Sequence, residues 1–394
     1  MADVLPRPDL LLTDGGPAGM PSPPHASGLR TVGVEEEFLL VESIGGRAVP
    51  VAGLLARPAN PLPVAEPAPV ATVDTELQRE QVETATAPCE ELPRLAEQLR
   101  ELRRRADECA RSAGARLAAL ATSPLPVMPH LTQQERYQAI SRHLGLTCAE
   151  QLTCGCHVHV AVSSDEEGVA VLDRIRPWLA VLTALTNNSP FWNGVDTGYA
   201  GYRTQVWHRW PCTGPSELFG SAAAYHDRVR QLLGTGTPLD TAMVYFDARL
   251  SLRYPTVEIR VADVCSDVND TVLLAALARA LVDTAAAEWR DGVPADPVCA
   301  TVLRLASWRA SRYGLDGPLA HPRSHQLSAA ADVVEALMRH LHPALVASGD
   351  LALVGVLLER LLGRGDGASR QREVARATGD LSAVVADVVE RTCA

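Results

Sequence analysis

The sequence predicts an α+β protein in which helices cover the apolar face of an antiparallel sheet. Three segments, at residues 33–40, 154–162 and 256–261, alternate with a period of two, which is typical of strands. Each places acidic, histidine or arginine side chains on one face and mainly apolar side chains on the other. The chain beyond Asp270 has apolar residues at helical spacing, so it can supply the covering layer.

Composition limits the class of protein before any motif is considered. The 394 residues are 47% hydrophobic with a net charge of −11, which permits a large core and disfavours nucleic-acid binding. No secretory signal or membrane-spanning apolar run is visible, and the nine cysteines are scattered. We therefore expect a cytoplasmic protein with free thiols and small-molecule substrates, without a nucleic-acid or membrane partner. The composition leaves open whether the protein forms a homo-oligomer.

Pro and Gly mark the candidate boundaries of the chain. Residues 1–29 are rich in both and predict a disordered leader, which leaves 30–394 as a single domain with a helical C-terminal part. Residues 45–72 are again rich in Pro, Ala and Gly and predict a long loop, with a short helix near 51–56.

The first alternating segment, at residues 33–40, carries three consecutive glutamates. As a strand it puts Glu35 and Glu37 on one face and Glu36 on the other, with Val34 and Phe38. Neighbouring carboxylates repel unless a cation or a shared proton lies between them, and paired oxygens suit Mg²⁺. A solvated edge strand is the alternative. Because Glu36 points away from the pair, we expect Glu36→Gln to be a silent control.

A second acidic cluster lies at residues 74–86. As one strand it would place Glu76, Gln78 and Glu80 on one face and Glu83 on the other, so Glu76 and Glu83 could meet only across a bulge or bend. As a helix, the glutamates would form a solvated stripe. The threonines at its end favour the strand.

Residues 90–120 then predict a packing helix with Cys109 as a core thiol, and 118–122 either end this helix or begin a buried strand.

The segment 154–162 puts His157 and His159 on one strand face, opposite a valine face. A lone buried histidine is usually a hydrogen-bonded core residue, but two on one face favour a functional wall. Zinc held by both imidazoles and a thiolate is the second choice, because no matching cysteine pair exists elsewhere. Residues 168–187 and 217–233 predict helices. Between them, Arg203 and Arg209 lie among aromatic residues and could clamp an anion or be surface charges of a packed loop.

The third alternating segment carries Glu258 and Arg260 on one face, with Arg249 and Arg253 before it. Helices are then predicted at residues 271–290, 299–313, 328–346, 351–362 and 370–389. In the second of these, Arg309 and Arg312 could face an anion together or be exposed helix arginines. Several carboxylates with a histidine suggest more than one Mg²⁺, and several arginines suggest phosphate and a carboxylate substrate. Such a set suits phosphoryl transfer without a P-loop.

Five ordered motifs give a specific resemblance to a known family. They are residues 33–38 (GVEEEF), 76–86, 155–159 (GCHVH), 202–207 (YRTQVW) and 256–260 (TVEIR). Together they resemble the type-2 glutamate–cysteine ligase family, the YbdK-like carboxylate–amine ligases, over roughly residues 30–380. The resemblance implies a glutamine synthetase-type fold, in which a curved antiparallel sheet forms an active-site funnel. It also implies ATP and Mg²⁺ as cofactors, and a γ-glutamyl phosphate that an amine such as cysteine attacks.

Roles follow from the resemblance residue by residue. The positions that match metal ligands are Glu35, Glu37, Glu76, Glu83, His157 and Glu258. Arg260 matches a phosphate-binding position, and Arg203 is a substrate or phosphate contact, which makes these two the candidate catalytic residues. Separately from the resemblance, the local clusters of basic side chains make His159, Arg249, Arg253, Arg309 and Arg312 the candidate nucleotide-binding residues. His159 is a departure, because the broader family has an amide there.

The expected function is therefore that of an ATP-dependent ligase that forms C–N bonds by way of a γ-glutamyl phosphate. Two other classes remain as alternatives. A metal-dependent hydrolase would use His157 and His159 to hold a transition metal that activates water. A non-catalytic protein would bind a nucleotide or metabolite without turnover.

Overall fold

The computed structural model describes residues 28–55 and 72–394. The predicted leader at 1–29 lies almost entirely outside the described residues, as does most of the predicted loop at 45–72. The short helix expected near 51–56 is present as α1 (Ala52–Leu55).

Within the described part of the chain, the strands build one large sheet and two small ones. The strands are β1 (Val32–Glu42), β2 (Thr72–Thr75), β3 (Gln81–Ala85), β4 (Ala115–Ala118), β5 (Gly155–Ala161), β6 (Phe191–Trp192), β7 (Val195–Asp196), β8 (Ala248–Leu250), β9 (Thr256–Asp263), β10 (Leu319–Ala320) and β11 (Leu327–Ser328). The large sheet is antiparallel in the order β2-β3-β1-β5-β9-β8, with β4 also paired to β1. The α+β prediction is confirmed.

Helices make up most of the remaining chain. After α1 come α2 (Leu92–Ser112), α3 (Glu135–Leu144), α4 (Leu146–Ala149), α5 (Asp165–Ile175), α6 (Leu179–Leu185), α7 (Tyr202–Trp207), α8 (Ala222–Gly234), α9 (Val268–Arg290), α10 (Ala300–Tyr313), α11 (Ala330–Ser348), α12 (Leu351–Arg364), α13 (Gly367–Thr378) and α14 (Leu381–Thr392). Short 3₁₀ helices lie at Arg176–Trp178, Thr241–Met243 and Gly314–Asp316. No helix of the described residues has both the length and the apolar composition needed to cross a membrane.

The sheet has the two-faced character that its alternation predicts. On one face Val158 of β5 pairs with Ile259 of β9, and both side chains are fully buried. Helix α9 contacts β1 and β5 on this face, and α6 contacts β9. Because the helices remove this face from water, the opposite face is left to carry the polar side chains.

The interpretation of residues 74–86 as one strand is wrong. The segment forms two antiparallel strands, β2 and β3, joined by a turn, and Asp74 pairs with Glu83 across them. Glu76 follows β2 directly and therefore returns toward Glu83 through the turn, without a bulge. The alternative of a solvated helix is wrong as well.

Several helix predictions need correction at their ends or faces. Cys109 is exposed, because the buried stripe of α2 continues from Ala106 to Ala110. The helix predicted at 168–187 is divided at Pro177, which has no N–H for the helical ladder. The helix predicted at 370–389 is divided at Gly379, whose φ of 68° lies in the left-handed region. The helix predicted at 217–233 begins only at Ala222.

Candidate active site

The polar face of the sheet forms the floor of a cavity of about 410 Å³, which we call the funnel. This volume lies within the usual range of small-molecule sites, roughly 300–1,000 Å³. Its floor comes from β1, β3, β5 and β9, and its walls from α3, α7 and the turn between β8 and β9. The candidate residues that line it are Glu35, Glu37, Glu76, Glu83, His157, His159, Arg203, Arg249, Arg253, Glu258 and Arg260.

Strand register brings the carboxylates together. Glu37 on β1 lies opposite Glu83 on β3, and Glu35 lies opposite His157 on β5. In each of three groups, ligand atoms approach within 4.8 Å of one another. These groups are Glu37–Glu76–Glu83, Glu35–Glu83–His157 and Glu35–His159–Glu258. All six predicted metal positions thus fall into overlapping clusters.

The carboxylates of Glu76 and Glu83 are held in an unfavourable environment. Burial raises the pKa of Glu76 to about 7, with a further contribution from repulsion by Glu37. Burial also raises the pKa of Glu83 well above its usual value, and Glu76, Glu35 and Glu37 add repulsion. A cation between these groups would relieve the repulsion, so the cluster favours the binding of a metal ion.

The side chains of His157 and His159 both contact the carboxylate of Glu35. Burial would raise the pKa of Glu35, but the neighbouring imidazoles of His157 and His159 outweigh this effect and hold that pKa far below its usual range. Nδ1 of His157 lies 3.4 Å from Glu35 Oε2, and Nε2 of His159 lies 3.3 Å from Oε1. Burial, assisted by Arg260, lowers the pKa of His157, which favours the neutral imidazole that a metal requires.

The donor set fits Mg²⁺. Glu35, Glu37, Glu76 and Glu83 offer hard carboxylate oxygens, and His157 adds one neutral nitrogen. More than one cation is consistent with three overlapping groups of ligand atoms. Glu258 differs from the others, because arginines already occupy its oxygens.

The second half of the funnel is lined by arginines. Arg249 forms a two-pronged ion pair with Glu258, at 2.7 Å from Nε to Oε2 and 3.2 Å from Nη2 to Oε1. Arg260 contacts the same carboxylate through Nη1. Burial would raise the pKa of Glu258, but Arg260 and Arg249 outweigh it and hold the pKa far below its usual range. The single carboxylate of Glu258 therefore lies among several arginine side chains, and their excess positive charge favours an anionic ligand.

Arg203 is placed for such a ligand. Its side chain is 4% exposed, and the nearest carboxylate among the described residues, that of Asp263, lies 3.9 Å away, too far for a hydrogen bond. Gly155 leaves room for it, since a Cβ there would lie 2.2 Å from Arg203 Nη2. The N–H of Gly155 donates to Glu37 Oε2 at 2.6 Å, so this glycine touches both halves of the site.

Two predicted nucleotide contacts lie elsewhere. Arg309 and Arg312 are on α10 and do not line the funnel. Arg309 donates to the Pro318 carbonyl, and Arg312 lies over the rings of Tyr199 and Tyr313. Both arginines are half-buried against tyrosine rings, so the alternative of exposed helix arginines does not describe them either.

The sequence interpretation missed part of the lining. Tyr137, Gln151, Thr153 and Tyr245 face the funnel from segments without a regular polar pattern. Trp210 donates from its indole N–H to Gln151 at 2.8 Å, and Gln151 donates to Thr153 at 2.5 Å. The cluster of aromatic residues around Arg203 was a signal for this wall, but nothing local identified the other elements.

Comparison with solved structures identifies the fold. A glutamate–cysteine ligase from Francisella tularensis, in complex with AMP, matches with a TM-score of 0.65 at 13% identity, over 93% of this chain and 88% of that chain. A bifunctional glutathione synthetase from Pasteurella multocida matches with a TM-score of 0.66 at 14% identity, over 92% of this chain and 52% of that chain. The expected glutamine synthetase-type fold is confirmed.

Sequence comparison identifies the family. The profile of the glutamate–cysteine ligase family 2 matches residues 31–387, and the chain belongs to this family. It is 51% identical over 366 residues to "Putative glutamate--cysteine ligase 2" of Streptomyces coelicolor, which covers 92% of this chain and 99% of the relative. It is 49% identical over 365 residues to "Putative glutamate--cysteine ligase 2-1" of Streptomyces avermitilis, with the same coverage.

Proposed function

We propose that the protein is an ATP-dependent carboxylate–amine ligase that joins the γ-carboxylate of glutamate to cysteine or another amine. One observation supports this proposal above all: a half-buried carboxylate cluster and a set of arginines, two of them buried, share one cavity. Such a cavity can bind cations and a polyanion side by side, as phosphoryl transfer requires. Family membership and the AMP complex of the Francisella enzyme agree with it. Residues 30–394 would form the catalytic unit.

The reaction would proceed in two steps. A γ-carboxylate oxygen of glutamate attacks the γ-phosphorus of ATP, which gives γ-glutamyl phosphate and ADP. The amine nitrogen then attacks the acyl carbon and expels phosphate, leaving a γ-glutamyl amide. Mg²⁺ would be held by Glu35, Glu37, Glu76, Glu83 and His157. Glu258 would join them as a ligand by exchanging a contact with Arg249 or Arg260 for the ion. When bound, it supplies positive charge that offsets the negative charge on the transferring phosphoryl group.

The residues of the chain would divide the remaining work. Arg260 and Arg203 would contact the phosphoryl group or the substrate carboxylate, because their planar forks match such oxygens. Arg249, Arg253 and His159 would contact the nucleotide at the arginine-lined end. The aromatic wall that includes Trp207 would limit water, which would otherwise hydrolyse an acyl phosphate.

Product analysis tests the proposal. Purified protein is incubated with ATP, Mg²⁺, glutamate and a panel of amines, and ADP and γ-glutamyl products are measured by mass spectrometry. We expect amine-dependent ADP release with at least one acceptor. Arg260→Ala should abolish it, whereas Arg309→Ala, outside the funnel, should not. An absence of amine-dependent ADP release across the panel would refute the proposal.

The same preparation distinguishes the two alternatives. A hydrolase that uses His157 and His159 would retain zinc or manganese after purification, detectable by elemental analysis, and would act without nucleotide. A non-catalytic protein would bind ATP in calorimetry without releasing ADP.

A further inference from the structure

A small second cavity lies behind the funnel wall, and Asp247 lines it. Its volume is about 10 Å³, and it is enclosed by α6, α7, β9, α10 and the segment before β8. Arg203 and Arg260 line both this cavity and the funnel, so each of them contributes to both spaces. The wall between the two cavities therefore contains the two candidate catalytic arginines.

The polar groups around this cavity are only partly satisfied. The Nε atoms of Arg203 and Arg260 are buried and have no hydrogen-bond partner among the residues that the structure describes. Buried donors without partners are costly, so native proteins satisfy them with protein atoms or ordered water. The main chain holds Asp247 in place, since its carbonyl accepts from the Arg260 N–H at 2.9 Å and its N–H donates to the Gly214 carbonyl at 3.0 Å.

The carboxyl of Asp247 can act as donor or acceptor there. Burial raises the pKa of this group to about 7, although Arg203 and Arg304 oppose the shift. The cavity is about the size of one water molecule, which needs roughly 10–15 Å³ and two to four polar partners. The two Nε donors and the Asp247 carboxyl belong to residues that line this cavity, which makes them three candidate partners.

We propose that Asp247 is a positioning residue that holds the Nε atoms of Arg203 and Arg260 through one buried water. Fixing Nε fixes the plane of each guanidinium group, and with it the direction of the N–H groups that face the funnel. Asp247 itself touches no substrate. The effect on ligand binding rests on the proposed function, whereas the water bridge does not.

A crystal structure of the wild-type protein at high resolution tests the bridge directly. We expect one ordered water within hydrogen-bond distance of the Asp247 carboxyl and of both Nε atoms. If this water is absent, or if the Nε atoms bond to other groups, the proposal is overturned. This result decides whether the water bridge exists even if the wild-type protein neither binds nor uses ATP.

Binding measurements test the consequence. Asp247→Asn keeps a donor and an acceptor, so its Kd for Mg²⁺-ATP by calorimetry should stay within about threefold of wild type. Asp247→Leu leaves the bridge without its anchor and should weaken binding on the order of tenfold, with a changed kcat. If the Asp247→Leu variant does not fold, Asp247→Ala is measured in its place. Ser307→Ala, in the same cavity wall, is the matched control and should bind as wild type. Equal affinities for Asp247→Leu and wild type, or an equal loss in Ser307→Ala, would overturn the positioning role.

Discussion

Replacing Glu36 with glutamine removes the negative charge of a buried ion pair that joins the sheet to the helical layer. Arg103 on α2 places Nη2 at 2.5 Å from Glu36 Oε1 and Nε at 2.9 Å from Oε2, and both side chains are fully buried. Thr271 on α9 donates to the same Oε1 at 2.7 Å. Glu36 points away from the funnel, as the strand alternation predicts, but this buried ion pair leads us to expect that Glu36→Gln is not a silent control.

The size of the effect follows from what remains in the variant. The introduced glutamine would still accept from Thr271, but Arg103 would keep its charge with no anion beside it. Loss of one partner from a buried pair costs about 3–5 kcal/mol of unfolding free energy. The unfolding entropy scales with chain length, so a loss of about 4 kcal/mol lowers the Tm of a 394-residue chain by roughly 5 °C.

Calorimetric melting of purified variants measures this loss. Glu101→Gln is the matched control, because Glu101 lies on the same helix and pairs with Arg104 and Arg105 at the surface. We expect no resolvable change in Tm for the control, since exposed pairs are screened by water. A Glu36→Gln protein that melts at the wild-type temperature would refute the reasoning. So would a variant of normal stability with an altered Mg²⁺ requirement, because that would put Glu36 in the funnel.

Three more outcomes follow from the site. Glu83→Gln should raise the Mg²⁺ concentration for half-maximal ADP release on the order of tenfold. It should also raise the Tm in Mg²⁺-free buffer, because folding no longer has to protonate a buried carboxylate or bear its repulsion by the neighbouring glutamates. Unchanged values would remove Glu83 from the site. Gly155→Ala should displace Arg203 and abolish ADP release, whereas Gly33→Ala, with no atom nearer than 3.9 Å to the added Cβ, should retain it. Asp247 keeps its proton up to about pH 7 when folded and only to about pH 4 when unfolded, so the contribution of this group to wild-type stability falls as pH rises through that window. The Tm advantage of Asp247→Asn, followed by calorimetry, should therefore grow from about pH 4 to pH 7 and then level off; a constant difference would contradict the shifted pKa.

The sequence by itself determined which side chains share a face. Alternation along a strand depends only on neighbouring backbone geometry, so the pairs Glu35–Glu37, His157–His159 and Glu258–Arg260 could be assigned to one face of each strand without a partner strand. Apolar spacing similarly located most of the helices. The five ordered motifs then gave the family, because their order along the chain is also a property of the sequence.

Only the tertiary structure decided which charges meet. The turn between β2 and β3 brings Glu76 to Glu83. No local pattern revealed this turn, because the residue pattern did not distinguish a single strand from two strands joined by a turn. The ion pair between Glu36 and Arg103 and the position of Arg309 outside the funnel were not predictable for the same reason. A helix or strand pattern shows which residues share a face but not what packs against that face. Pairing and packing join residues far apart in the chain, so the charge balance of the site is a property of the fold rather than of any segment.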